Sequence, residues 1–174
     1  DSVLKKAVLR ELDSLAPAPT LFASNTSSIS INELAASTNR PDRFLGLHFF
    51  NPVPAMRLVE AVRGRATSEE TMRAGLEVCA RMGKVAVEVH DFPGFVSNRI
   101  LMPMINEAIL ALQDGVASRE AIDTVMKLGA NHPMGPLELA DFIGLDTCHG
   151  ILEVLRTGFR NEKYAPARLL RDMV

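Results

Sequence analysis

Asp91-Phe-Pro-Gly94 is where the sequence changes character. Proline fixes one backbone torsion and glycine readily supplies a left-handed one, so these four residues signal a turn. Upstream, short apolar runs alternate with helical patterns; downstream, only helical patterns remain. Working back from the turn, Val85–Val89 has the length and composition of a strand. Before it, Thr67-Ser-Glu-Glu70 fits a capping box opening a helix that runs through Met82 and stops at Gly83. Arg57–Val62 and Leu45–Phe50 read as strands, Ser30–Ala36 as a short helix and Thr20–Ser24 as a buried strand. Pro17 and Pro19 end a helix over residues 2–15 whose apolar stripe is Leu4, Ala7, Val8, Leu12 and Leu15. Strands interleaved with helices predict a mainly parallel α/β sheet.

Forward of the turn, Phe95–Gln113 is a long helical pattern, with a kink expected at Pro103 and a stop at Gly115. Ser118 caps a helix to Leu128, and further helices are predicted over Pro136–Ile143, Asp146–Arg156 and Ala167–Met173. The fold class is therefore α/β followed by all-α, with domains over 1–91 and 92–174.

Composition narrows the function. With 47% hydrophobic and 23% charged residues the chain suits a soluble globular enzyme. A formal net charge of −2 argues against a broad electrostatic grip on nucleic acid or a membrane surface. The most apolar stretch, Ile100–Ile105, contains Pro103 and is too short to span a bilayer. Cys79 and Cys148 sit in apolar helical patterns and read as reduced core residues. No signal-peptide pattern opens the chain, so a soluble, intracellular, cytoplasmic protein is expected.

Three segments could carry chemistry. In Gly46-Leu-His-Phe-Phe-Asn-Pro-Val-Pro54, His48 lies in an apolar strand and Asn51-Pro-Val-Pro54 must reverse the chain. The next strand, Arg57-Leu-Val-Glu-Ala-Val62, carries one acidic residue. A hairpin centred on Pro54 sets His48 opposite Glu60 on one face. A carboxylate beside an imidazole fixes its tautomer, which suits a general base near neutrality. A buried pair that only satisfies itself remains the other reading.

The second segment is Ala23-Ser-Asn-Thr-Ser-Ser28, a strand running into small polar residues. It is either a ligand-binding rim at a strand's carboxyl end or a turn capping the helix after Ser30. In the third, Pro93-Gly-Phe-Val-Ser-Asn-Arg99, Asn98 sits early in an apolar helix, where an unpartnered amide costs about 1–3 kcal/mol. Arg99 reads as structural, bonded to loop carbonyls or a carboxylate. His90, His132 and His149 fit no metal spacing and read as surface or structural residues.

Taken together, Phe22-Ala-Ser-Asn-Thr-Ser-Ser28, Asp42-Arg-Phe-Leu-Gly-Leu-His-Phe-Phe-Asn-Pro-Val-Pro54, Leu58-Val-Glu60, Pro93-Gly-Phe-Val-Ser-Asn-Arg99 and Pro133-Met-Gly-Pro136 with Gly144-Leu-Asp146 resemble the 3-hydroxyacyl-CoA dehydrogenase family. The resemblance implies the C-terminal part of a Rossmann-type NAD-binding domain followed by a helical dimerisation domain. It implies oxidation of a 3-hydroxyacyl-CoA to a 3-ketoacyl-CoA, in fatty-acid oxidation (beta-oxidation) or butanoate metabolism. His48 would be the general base and Glu60 the acid that orients it. Ser27 and Asn98 would hydrogen-bond the substrate, Asn98 also serving the base. Lys5, Asn25, Ser27 and Asn51 would contact the cofactor, Asn51 beside the nicotinamide. NAD is the implied cofactor, with NADP left open. An acyl-CoA substrate and a homodimer are the implied partners.

The family's opening strand, glycine-rich turn, acidic ribose reader and Gly-rich tail have no counterpart in these residues. The chain is therefore expected to be truncated at both ends and poorly active alone. Two alternatives stand beside this reading: a related sugar-acid dehydrogenase, and a helical oligomerisation module without catalysis.

Overall fold

A computed structural model describes residues 2–174. The chain divides into two compact units, the first ending at Phe95 and the second running from Val96 to Val174. In order, the first contains α1 (Ser2–Leu15), β1 (Phe22–Ser24), α2 (Ile31–Ala35), β2 (Phe44–Phe49), β3 (Leu58–Arg63), α3 (Glu69–Arg81) and β4 (Val85–His90). The second is helical: α4 (Ser97–Gln113), α5 (Arg119–Gly129), α6 (Pro136–Ile143), α7 (Leu145–Phe159) and α8 (Arg168–Met173).

The first unit is built on one sheet with strand order β1-β2-β3-β4. β1 pairs with β2 and β3 with β4 in parallel, whereas β2 and β3 are antiparallel. The sheet is thus mixed, and its antiparallel step is the hairpin that the Asn51–Pro54 turn requires. Partnered residues share a face. One face presents Phe22, Phe44, Val62 and Val89 to Ile31, Leu34 and Ala35, from α2. The opposite face packs Leu45, Leu47, Val59 and Ala61 with Met72 and Cys79 from α3. Gly46 keeps α2 close: a Cβ there would meet Ile31 Cδ1 and Val62 Cβ, each at 2.8 Å. Burying these aliphatic and aromatic side chains stabilises the unit by about 1.5–3 kcal/mol each relative to full exposure.

Two local expectations are corrected. The cap of α3 is Ser68, whose side chain accepts from the Thr71 amide, so the Thr67/Glu70 box does not form. Thr67 instead accepts from the Gly64 amide and donates to the Phe44 carbonyl, a pairing available only after the sheet assembles. On α1 the predicted stripe does not form a core face: Leu4, Val8, Leu12 and Leu15 are all exposed, Leu15 at 74%. The helix packs through Leu9, with Ala16 just past its end, and buries Asp13 instead. Asp13 pairs with Arg40 at 2.6 Å and accepts from the Asn39 amide at 2.7 Å, so the last turn of α1 is fixed by polar contacts.

In the second unit the helix starts at Ser97 rather than Phe95, because Phe95 takes a left-handed conformation with φ 50°. The helix continues through Pro103 to Gln113. Met102, Ile105 and Ile109 of α4 meet Leu137, Leu152 and Leu170 in a single apolar core. Buried Asp123 supplies the cap that α6 lacks locally, accepting from the Leu137 and Glu138 amides at 2.8 and 3.0 Å. Asn106 clasps the chain before α8, donating to the Ala165 carbonyl and accepting from the Ala167 amide. Cys148 and Cys79 are both buried core residues. Burial pushes the Cys148 thiol up to about 11, with Asp146 nearby adding to the shift.

Candidate active site

The hairpin sets the geometry. Its register pairs His48 with Glu60 across β2 and β3. The two side chains are buried, at 5% and 3% exposure, and His48 Nδ1 lies 2.7 Å from Glu60 Oε2. An ionised carboxylate only accepts, so with Glu60 ionised Nδ1 is the donor and a neutral ring keeps its lone pair on Nε2. Phe50 and Phe95 flank the imidazole, with ring centroids 4.9 and 5.7 Å from it. Aromatic walls and a single carboxylate thus fix the ring's tilt and tautomer.

Three of the remaining predicted residues of the first unit follow strand ends on one edge. β1 and β2 run parallel, and Ser24 is registered with Gly46, so both strands deliver their carboxyl ends to the same side. From that side emerge Asn25 and Ser27 after β1, and Asn51 after β2, all three exposed. Open α/β sheets bind ligands at this edge. Lys5 is half-buried on α1.

The loop after β1 is ordered by its own hydroxyls. The Thr26 amide donates to Ser24 Oγ, and Thr26 Oγ1 accepts from the Ile29 amide at 2.9 Å. Ser30 caps α2, accepting from the Glu33 amide. The cap is thus made by Ser30, which leaves the exposed Asn25 and Ser27 outside it. Asn98 belongs to the second unit, where it is buried in the first turn of α4. Arg99 is corrected: its guanidinium lies 4.4 Å from the centroid of the Phe159 ring, a cation–π contact.

Sequence reasoning missed two further features. Lys84 donates to the Val53 and Met56 carbonyls at 2.5 and 2.8 Å, tying the exposed hairpin tip to the start of β4. Asp91 accepts from Ser30 and Asn32, an arrangement taken up below. Both join residues far apart in sequence, and no local motif announces them. Among the described residues no group of three or more His, Cys, Asp or Glu side chains is placed to hold a metal ion.

Residues 1–92 match the 3-hydroxyacyl-CoA dehydrogenase NAD-binding domain and residues 94–174 that family's C-terminal domain. The chain belongs to the 3-hydroxyacyl-CoA dehydrogenase family. A probable 3-hydroxybutyryl-CoA dehydrogenase of Bacillus subtilis is 61% identical over 98% of the chain and 59% of its own length. A 3-hydroxybutyryl-CoA dehydrogenase of Clostridioides difficile is 54% identical over 100% of the chain and 62% of its own length. The solved (S)-3-hydroxybutyryl-CoA dehydrogenase of Ralstonia eutropha superposes with a TM-score of 0.96 at 55% identity, covering 98% of this chain and 60% of that one. The chain thus spans about three fifths of the length of the relatives it matches.

Proposed function

We propose that the protein carrying this chain interconverts (S)-3-hydroxyacyl-CoA and 3-ketoacyl-CoA with NAD, acting on short acyl chains such as 3-hydroxybutyryl-CoA. The observation that carries the proposal is the buried pair of His48 Nδ1 and Glu60 Oε2, 2.7 Å apart. With Nδ1 donating to the carboxylate, Nε2 accepts the proton of the substrate's 3-hydroxyl. Glu60 holds the ring in that tautomer and stabilises the imidazolium that forms. Ser27 hydrogen-bonds the substrate near its 3-oxygen. Positioning these groups against C3 contributes the larger share of catalysis.

The residues after β1 and β2 fit a nicotinamide cofactor: exposed amides and a hydroxyl follow the carboxyl ends of these two parallel strands, one of which carries His48. Asn25, Ser27, Asn51 and Lys5 would hold it, with Asn51 nearest the nicotinamide. NAD, when bound, supplies the acceptor for the hydride that leaves C3. The relatives named above support this assignment, as does the match of residues 1–92 to an NAD-binding domain. We further propose a domain boundary at 91/92, a homodimer through the helical domain, a cytoplasmic setting, and a place in beta-oxidation or butanoate metabolism. No helix among the described residues is long and apolar enough to cross a membrane.

The assay is loss of NADH absorbance driven by acetoacetyl-CoA, with free acetoacetate as control, in the complete protein. Rapid loss with the thioester alone is the expected result. No loss with the thioester would contradict the proposal, and equal rates with the free acid would favour a sugar-acid type of substrate.

A further inference from the structure

Asp91 closes β4 at the turn where the sequence changes character, yet its side chain points its bonds backward in sequence. One oxygen, Oδ2, takes three donors: Ser30 Oγ at 2.7 Å, the Asn32 amide at 2.8 Å and Asn32 Nδ2 at 2.6 Å. Asn32 in turn accepts from the Arg65 amide through Oδ1 at 2.6 Å. The carboxylate therefore ties the start of α2 to the end of β4, and through Asn32 to the loop that follows β3. The backbone on either side is held as well, because the Asp91 amide donates to the Arg63 carbonyl at 3.0 Å.

The loop that bears Asn25 and Ser27 lies between two fixed points. At its first end Ser24 is buried in β1, and Thr26, also buried, accepts from the Ser28 and Ile29 amides. At its far end is Ser30, whose hydroxyl is held by Asp91. Without that bond the Ser30 side chain keeps only its contact with the Glu33 amide, at 3.3 Å on an exposed part of a short helix, beside the backbone bond from the Leu34 amide to the Ser30 carbonyl. Hydrogen bonds to a charged group are worth about 1.5–3 kcal/mol, against about 0.5–1.5 for neutral ones, so the carboxylate is the stronger anchor.

We infer that Asp91 is a positioning residue for the substrate loop, holding Ser27 in place through Ser30 and Asn32. The same residue opens the segment that ends in Phe95, whose ring lies 5.7 Å from the His48 ring. The carboxylate thus fixes the far end of the loop that the proposed function assigns to the substrate. The inference rests on the reading of Ser27 as a substrate contact.

The test measures KM for acetoacetyl-CoA and kcat in the complete protein for Ser27→Ala, Asp91→Ala, Asp91→Asn and Ser30→Ala. Asp91→Ala should raise KM about tenfold, the loss expected from removing an anchor made of charge-assisted bonds, with a smaller change in kcat. Asp91→Asn keeps one acceptor oxygen where all three donors converge, and should recover most of that loss. A role in fold stability alone would lower the melting temperature of both Asp91 variants without moving KM. If Asp91→Ala does not fold, Ser30→Ala decides, with a KM rise of a few-fold expected from one lost bond. KM at the wild-type value in the folded Asp91→Ala variant, or in Ser30→Ala where it stands in, would overturn the inference if Ser27→Ala raises KM. No change in Ser27→Ala would instead bring down the reading of the loop, and the inference with it.

Discussion

The hairpin and the end of the first helix each bury a carboxylate, and they use it in opposite ways. Glu60 faces an imidazole, a ring whose two nitrogens can each donate or accept. Asp13 faces Arg40, whose planar guanidinium only donates. Arg40 also donates to the Asp13, Ala16 and Pro17 carbonyls, closing the end of α1. The Asn39 backbone amide, first, and then the Asn39 side chain and Arg40 hold the Asp13 carboxyl below the usual carboxylate range, against the opposing effect of burial. The second pair joins a carboxylate to a group that only donates, the first to a ring whose second nitrogen the proposed function uses as a base. Equal burial does not mean equal purpose; the partner's chemistry decides.

His48→Gln breaks the first pair at its working member. Turnover should fall by about 10²–10⁴-fold, the usual share of a general base, with the circular dichroism spectrum and melting temperature little changed. Wild-type turnover would remove His48 from the mechanism. Glu60→Gln keeps the shape and removes the charge that orients the ring. A smaller loss is expected, on the order of tenfold to a hundredfold, because the base itself remains. Its pH–rate profile should differ from wild type, and an unchanged profile would count against the orienting role.

Asp13→Asn tests the other pair, with activity as the silent readout and stability as the responsive one. A carboxyl with a depressed pKa contributes stability above its unfolded value, about 4, and loses it as pH falls through the lower folded value. The variant's melting temperature should therefore lie below wild type at neutral pH, with the gap narrowing under about pH 4. A gap that widens on acidification would reverse the assignment. The smallest effect belongs to Glu33→Gln, which removes the exposed Lys6–Glu33 pair at 2.9 Å. Such pairs contribute about 1 kcal/mol or less, so denaturant unfolding should shift by no more than that.

The hairpin was legible because strand periodicity and a proline turn fix register together: with Pro54 at the centre, position 48 has to meet position 60. Helix ends marked by a single residue were legible too. Ser118 caps α5, and Gly83 and Gly115 take positive φ just past α3 and α4. Contacts that depend on distant partners were not. Asp91 meets Ser30 across 61 residues, and nothing near either one signals the other. The face of α1 was misread for a related reason. Periodicity says which residues share a side of a helix, not which side finds a partner, and here Leu9 and Ala16 found one while Leu4 and Leu15 did not.

The measurement that bears most directly on the hairpin pair is nitrogen-15 NMR of the two ring nitrogens of His48, taken at a pH where the imidazole is neutral. Wild type should show the proton on Nδ1 and an unprotonated Nε2, with that preference lost in Glu60→Gln. A proton on Nε2 in the wild-type protein would mean that the nitrogen meant to accept the substrate's proton is already occupied, and would contradict the account.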